Sequence, residues 1–332
     1  MIKHSTRQNY DNSIMMWLCF RFSSTSLVFA GVLLVLVSLS AGGSPSALAQ
    51  VNQPPVNLGN TNFVDGRALP GIMFQQTLIG ATAGSFRDND GERQPVPDDI
   101  TTLGVGTQIA WLSEHRLLGA NWGAEFILPV VHVDLGITPE LSNSRTGFGD
   151  LFLSPLVLQW SGQELFGRPF WQRFNLNVTV PTGAYDPARA ANPGTNTYRV
   201  NPHYAATWLF SDQWELSARF HYLWNGRNTD PALSLNADST RAGRAMHTNF
   251  AVSREMAPGL RAGLAGYHLR QISDDQIDGQ QVPGSREQVV GIGPGIRFQR
   301  GPQVLFVHGY YETLVRNRPA RQTIIVRYAR FF

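Results

Sequence analysis

Histidine is the residue type in this chain best suited to act as a base or a ligand, and it occurs eight times. His203, His221 and His247 fall on the polar faces of separate strand-like segments. A hydrolase would need a Ser or Thr nucleophile beside such a histidine. His247 with Asn249 comes nearest to a catalytic pair, and the sequence contains neither His-x-Ser nor Gly-x-Ser-x-Gly. We therefore predict no catalytic residues and interpret these histidines as hydrogen-bonding wall residues.

Two other short patterns resemble ligand-binding loops. Gly291, Gly293 and Gly295 have the spacing of a dinucleotide loop, but no helix follows them, so close backbone approach is the better interpretation. Two acidic pairs resemble the beginning of calcium loops, yet neither has an acid at the twelfth position. They are Asp88 and Asp90 before Gly91, and Asp274 and Asp278 before Gly279. We expect no cofactor and no metal site.

Composition excludes several classes of protein. The single cysteine, Cys19, lies within residues 1–49, so the remaining chain has no disulfide, no cysteine nucleophile and no cysteine metal site. The same residues hold three of the 27 Lys and Arg and one of the 24 Asp and Glu. The remainder is nearly neutral, which gives no electrostatic reason to expect a nucleic acid partner. A hydrophobic fraction of 42% excludes a disordered chain.

Residues 1–49 have the three parts of a secretory signal peptide. The basic residues are Lys3, Arg7 and Arg21, and the apolar run is Leu27 to Leu39. This run is shorter than the ~20 residues that a spanning helix needs. We predict cleavage between Ala49 and Gln50, because Ala47 and Ala49 are the small residues that signal peptidase requires. The starting residue stays open between Met1, Met15 and Met16.

The rest of the chain alternates between apolar and polar residues with the period of a β-strand. In Trp214 to Asn225, Trp214 and Trp224 end the apolar face, while Glu215, Arg219 and His221 lie on the other. Strands of about ten residues with aromatic ends fit a tilted crossing of an outer membrane. We predict an all-β fold, an antiparallel transmembrane outer-membrane β-barrel. A secreted β-sandwich is the alternative.

The alternation predicts twelve strands within residues 70–332 and leaves ten or fourteen open. The strands begin near Pro70, Ile100, Asn121, Asp150, Arg173, Thr197, Trp214, Ala245, Leu260, Glu287, Val304 and Arg321. Long polar loops, one of them Gly136 to Thr146, alternate with short turns. Residues 50–69 form a periplasmic N-terminal segment, and its entry into the lumen is left open.

Polar strand faces must turn inward, because a charge on the lipid face near the membrane centre costs about 2–4 kcal/mol. The pore-lining candidates are Arg173, Arg199, His203, Glu215, Arg219, His221, His247 and Arg297. Twelve strands fall between barrels filled by side chains and barrels that hold water channels, so we expect a narrow pore. These side chains either line a permeation path or only fill and cross-link the interior. Val304 to Arg316 is apolar on both faces, and its inward side is not assigned.

Several short motifs recur in order along the chain. They are Gly147-Phe148-Gly149-Asp150, Pro181-Thr182-Gly183-Ala184-Tyr185, Asn192-Pro193-Gly194-Thr195-Asn196, Trp214-Glu215-Leu216, Gly266-Tyr267 and Gly291-Ile292-Gly293-Pro294. In these motifs the chain resembles a family of outer-membrane proteins named for the meta-pathway of phenol degradation. The resemblance implies a barrel transporter for small, often hydrophobic or aromatic compounds.

The barrel and the resemblance together predict an outer-membrane channel for passive uptake or efflux of small, hydrophobic or aromatic solutes. Export through the inner membrane would precede insertion. Expected partners are outer-membrane lipids, lipopolysaccharide, the barrel assembly machinery and the solute. The alternatives are an outer-membrane lipid-modifying hydrolase and a structural barrel without transport.

Overall fold

The computed structural model describes residues 51, 53–60, 63–94, 99–136 and 143–332. The predicted signal peptide and its cleavage site at Ala49 and Gln50 lie outside the described residues. No helix in the described part of the chain is long and apolar enough to cross a membrane.

Twelve antiparallel strands form a single sheet that closes on itself. They are β1 (Gly71–Arg87), β2 (Asp99–Leu117), β3 (Ala120–Gly136), β4 (Asn143–Phe148 and Leu151–Leu165), β5 (Arg168–Val180), β6 (Arg199–Trp208), β7 (Trp214–Asn225), β8 (Ala245–Ala257), β9 (Leu260–Gln271), β10 (Gln288–Arg300), β11 (Gln303–Arg316) and β12 (Arg318–Phe331). β1 closes the barrel, because Ile79 pairs with Gly104 of β2 and with Ile325 of β12. The predicted all-β transmembrane barrel of twelve strands is confirmed.

The two ends of the barrel differ in their connections. At the end we call the turn end, two-residue turns such as Leu118-Gly119 and Phe166-Gly167 have positive φ at both residues, which suits a tight hairpin. At the opposite end, the loop end, the connections are longer. Two of them contribute a small sheet of Thr240–Arg241, Asp275–Ile277 and Gln280–Val282. The exception at the loop end is the single residue Asn317, which joins β11 to β12.

The fourth strand differs from its prediction. It begins at Asn143 rather than near Asp150, and both of its pieces pair with β3, on either side of Gly149 and Asp150. Most of the predicted loop Gly136 to Thr146 is therefore strand at its C-terminal side. Polar residues can extend a ladder beyond the lipid, because backbone pairing does not depend on side-chain polarity.

Alternation along the strands separates an apolar outer face from an inner face of varied chemistry. In β7, Leu216 and Phe220 are exposed, whereas Glu215, Arg219 and His221 are buried. Lipid covers such an outer face in a transmembrane barrel.

Candidate functional site in the barrel lumen

The predicted pore-lining residues all point to the interior of the barrel. Arg199, His203, Glu215, Arg219, His221 and His247 are buried, and Arg173 and Arg297 are half-buried. Arg297 lies between the exposed Ile296 and Phe298, and its guanidinium stacks on the inward ring of Phe306. Their contact with a solute stays a prediction.

Three of these residues form a row across neighbouring strands. His221 of β7 is in register with His203 of β6 and with His247 of β8. The ring centroids of His203 and His221 are 4.7 Å apart, and those of His221 and His247 are 3.9 Å apart. Asn201 joins the row, with its Oδ1 2.7 Å from His221 Nδ1 and its Nδ2 3.2 Å from His247 Nε2. Sequence reasoning placed these histidines on polar faces but not beside one another.

This histidine row has the geometry of a wall. The rings of His221 and His247 are stacked, so their nitrogen lone pairs lie in nearly parallel planes and do not converge on one ion. Within the described residues, no group of three or more His, Cys, Asp or Glu could hold a metal ion. Asn249, the residue nearest to a catalytic partner of His247 in sequence, instead donates to Asn57 O and accepts from Gly59 N.

The described residues 53–60 and 63–68 occupy the lumen, and we call them the lumen segment. At the loop end, Gln53 Nε2 donates to Gly243 O at 2.8 Å. At the turn end, Ala68 N donates to Gln159 Oε1 at 3.1 Å. Most of the side-chain hydrogen bonds that hold the segment join it to inward residues of the wall. The segment is therefore a separate piece of chain inside the barrel and not a thirteenth strand.

Asp65 fixes the segment to one side of the lumen. Arg219 Nε donates to Asp65 Oδ2 at 2.9 Å, and Arg219 Nη2 donates to Asp65 Oδ1 at 2.6 Å. The guanidinium of Arg173 lies 3.9 Å from the same carboxylate. One buried acid thus compensates two inward arginines, in a two-point geometry that favours strong pairing.

Hydroxyl groups of neighbouring strands hold the backbone beside Asp65. Gly66 N donates to Thr207 Oγ1 at 2.7 Å, and Asp65 N donates to Ser217 Oγ at 3.3 Å. Ser217 in turn donates to Glu215 Oε2 at 2.6 Å. We call the inner faces of β5 to β8, which carry these groups and the histidine row, the polar half of the lumen.

The opposite side of the lumen packs against Phe63, which is 1% exposed. The buried apolar residues that share this cluster include Tyr267, Leu269, Val289, Tyr310 and Ile325. Tyr310 Oη donates to Gly59 O at 2.8 Å, and the ring of His308 meets Phe63 edge-on at 5.1 Å between centroids. We call the inner faces of β9 to β12 the packed half.

The motifs that carry the family resemblance converge at the loop end on Asp150, which is 3% exposed. Its carboxylate accepts from Gly183 N, from Thr195 N and Oγ1, and from Arg199 Nη2. Gly183 and Gly194 are in backbone contact, so a Cβ at either would lie under 3 Å from the other. These motifs therefore build the connection between β5 and β6, which is a structural role.

Sequence reasoning missed Phe63, Asp65 and the role of Asp150. A signal for Asp65 exists, since it is the only acid in residues 50–69 and the wall strands bring two unpaired arginines inward. Asp150 was singled out only as part of a motif. Phe63 carries no comparable signal, because a lone apolar residue in a polar segment is common.

Solved structures share the fold. The chain matches the crystal structure of the COG4313 outer membrane channel from Pseudomonas putida F1 with a TM-score of 0.72 and 20% identity, covering 84% of this chain and 100% of that one. The Pseudomonas putida toluene transporter TodX matches with a TM-score of 0.41 and 10% identity, covering 86% of this chain and 97% of that one. These neighbours are channels rather than enzymes. No curated protein matches the chain.

A family model gives the relationship over most of the sequence. The model described as "Putative MetA-pathway of phenol degradation" matches residues 83–328. This range contains every motif on which the resemblance was based, and the predicted family is confirmed. The chain, a transmembrane β-barrel of the outer-membrane type, belongs to the family of the MetA-pathway of phenol degradation.

Proposed function

We propose that the protein is a narrow outer-membrane channel for passive movement of small, weakly polar or aromatic solutes. The observation that carries the proposal is the lumen segment. A barrel interior that admits an extended polypeptide is wider than its own wall side chains fill. The segment is held by side-chain hydrogen bonds and one ion-pair cluster, so its displacement would open the lumen without breaking the strand ladder.

The chemistry of the lumen favours a solute with a ring and few polar groups. The polar half offers hydrogen bonds from Asn, His and Ser side chains, and the packed half offers aromatic and aliphatic surface. Ligand sites of this mixed kind orient a largely apolar molecule through a few polar contacts. The family name points to phenolic compounds, and uptake or efflux would both follow the solute gradient.

The cellular setting follows from the proposal. We infer export through the inner membrane by the predicted signal peptide, then insertion by the barrel assembly machinery beside outer-membrane lipids and lipopolysaccharide. We also propose that the protein is not an enzyme, because Asn249, which sequence reasoning paired with His247, binds the lumen segment instead.

Conductance in a planar bilayer tests the channel. We expect small single-channel steps from the purified full-length protein, reduced when phenol or a methylphenol is added. An inactive preparation of the heat-unfolded protein is the control. Failure of the folded protein to conduct ions or to transfer an aromatic solute into vesicles would favour a structural barrel. Hydrolysis of added phospholipid would favour the outer-membrane hydrolase.

A further inference from the structure

The barrel wall opens between β11 and β12 near the loop end. The ladder that joins these strands runs from Gln303 and Arg330 to Tyr311 and Gln322, where it ends. Beyond that pair, β11 continues along β10 and β12 continues along β1. The two strands separate although only Asn317 connects them.

A side chain occupies the place of the missing ladder. Arg321 N donates to Glu312 Oε2 at 2.8 Å, where a continued ladder would offer a backbone carbonyl. The register of β1 against β12 also shifts between Ala83 and Phe86, and Leu314 has a φ of 50°. Irregularities on both sides of β12 thus loosen the same part of the wall.

A cavity of about 540 Å³ lies at this opening. Tyr311 and Glu312 are consecutive in β11, so their side chains point to opposite faces of the wall, yet both line the cavity. Tyr311 is 63% exposed, and Glu312 is 4% exposed. The cavity therefore lies within the plane of the wall, between the lipid side and the lumen side.

The lining combines an apolar and a polar part. Tyr311, Leu314 and Val315 supply apolar surface, and Glu312, Arg321 and Gln322 supply polar groups. The volume is within the range of ~300–1,000 Å³ that is usual for small-molecule sites. An aromatic ring with one hydroxyl group has matching chemistry.

The lumen segment makes a side route relevant. Its contacts run from Gln53 at the loop end to Ala68 at the turn end, so the axial path is occupied along its length. We propose that the wall cavity is a side port, which binds small phenol-like solutes and passes them between the lumen and the surrounding membrane. The side port rests on the proposed channel function.

A tryptophan placed in the cavity tests the port. Ala320 lines the cavity, so Ala320→Trp fills it. Ala218→Trp is the matched control, because Ala218 lies on the outer face of β7 between the buried Ser217 and Arg219. The purified full-length proteins would be compared for ion conductance and for transfer of 1-naphthol into lipid vesicles.

We expect Ala320→Trp to slow naphthol transfer by about tenfold, equivalent to 1.4 kcal/mol, while its ion conductance matches that of the wild type. Ala218→Trp should leave both quantities unchanged. Equal naphthol transfer in both variants would overturn the side port and leave the channel standing. Wild-type protein that neither conducts nor transfers naphthol would overturn the channel and the port together.

Photolabelling of the wild type with a diazirine-bearing phenol keeps the test independent of the folding of Ala320→Trp. We expect the label on residues 311–322, with phenol competing. Label confined to the inner face of β7 and β8 would indicate an axial route and overturn the port. Label displaced by lipopolysaccharide but not by phenol would assign the cavity to lipid and overturn the port as well.

Discussion

The two halves of the lumen have similar outer faces and different inner faces. β7 in the polar half exposes Leu216 and Phe220 outward, and β11 in the packed half exposes Leu305 and Val307. Inside, β7 presents Arg219 and His221, whereas β11 presents Phe306 and Tyr310. The outer face of every strand meets the same lipid, but each inner face matches the part of the lumen segment that it contacts. Asp65 meets the polar half, and Phe63 meets the packed half.

Removal of the charge at Asp65 should have the largest effect. Asp65→Asn leaves Arg219 and Arg173 without their buried acid, and loss of one partner of a buried ion pair costs about 3–5 kcal/mol. We expect the lumen segment to leave the polar half and single-channel conductance to rise several-fold. Asp65→Asn combined with Arg219→Gln should recover part of the loss. Unchanged conductance in Asp65→Asn would mean that the packed half alone holds the segment.

Phe63→Ala tests the packed half. A buried Phe→Ala change costs about 3–5 kcal/mol, and the lower end applies here because water can enter the vacated lumen. We expect higher conductance than in the wild type, measured in the same bilayers at low and high salt. The increase should be insensitive to salt, since no charge is removed. A salt-dependent increase would show that the two halves are coupled.

Arginine on the outer faces tests their equivalence. Phe220→Arg and Val307→Arg each place a charge on lipid near the middle of a strand, at about 2–4 kcal/mol, and assembly should suffer equally in both. The fraction of protein that shifts on a gel after boiling reports assembly. Trp214→Arg, at the turn end of β7, is the control and should cost about 0–1 kcal/mol. Impaired assembly in only one of the two variants would contradict the equivalence of the outer faces.

The smallest effect is confined to one loop. Burial raises the pKa of Asp275 to about 7, and the nearby Glu287 and Asp274 carboxylates add to the increase. A raised carboxyl pKa stabilises the folded loop at low pH, and this contribution is lost between about pH 4 and pH 7. Amide hydrogen exchange at Gly243, whose N–H donates to Asp275, should therefore be slower at pH 5 than at pH 8 after correction for intrinsic rates. Asp275→Asn should remove this difference.

Sequence reasoning reached the fold through the outer faces. Alternation from Trp214 to Asn225 has one solution, because only an inward Arg219 avoids lipid. In Val304 to Arg316 both faces are apolar, and the inward side could not be assigned. The structure explains this difficulty: Tyr310 is inward and apolar because it packs on the lumen segment. A contact across 251 residues leaves no local pattern in the sequence.

The path of the lumen segment has a consequence for the order of folding. Asn60 accepts a hydrogen bond from Arg327 of β12, and Gly59 contacts Tyr310 of β11, so the first described residues depend on the last strands. Such non-local contacts form late, because the loop entropy must be lost before they contribute. The complete wall therefore precedes the docking of the segment, and a newly closed barrel passes through a state with a wide lumen. In kinetic terms, the last folding step of this protein is the one that sets its pore size.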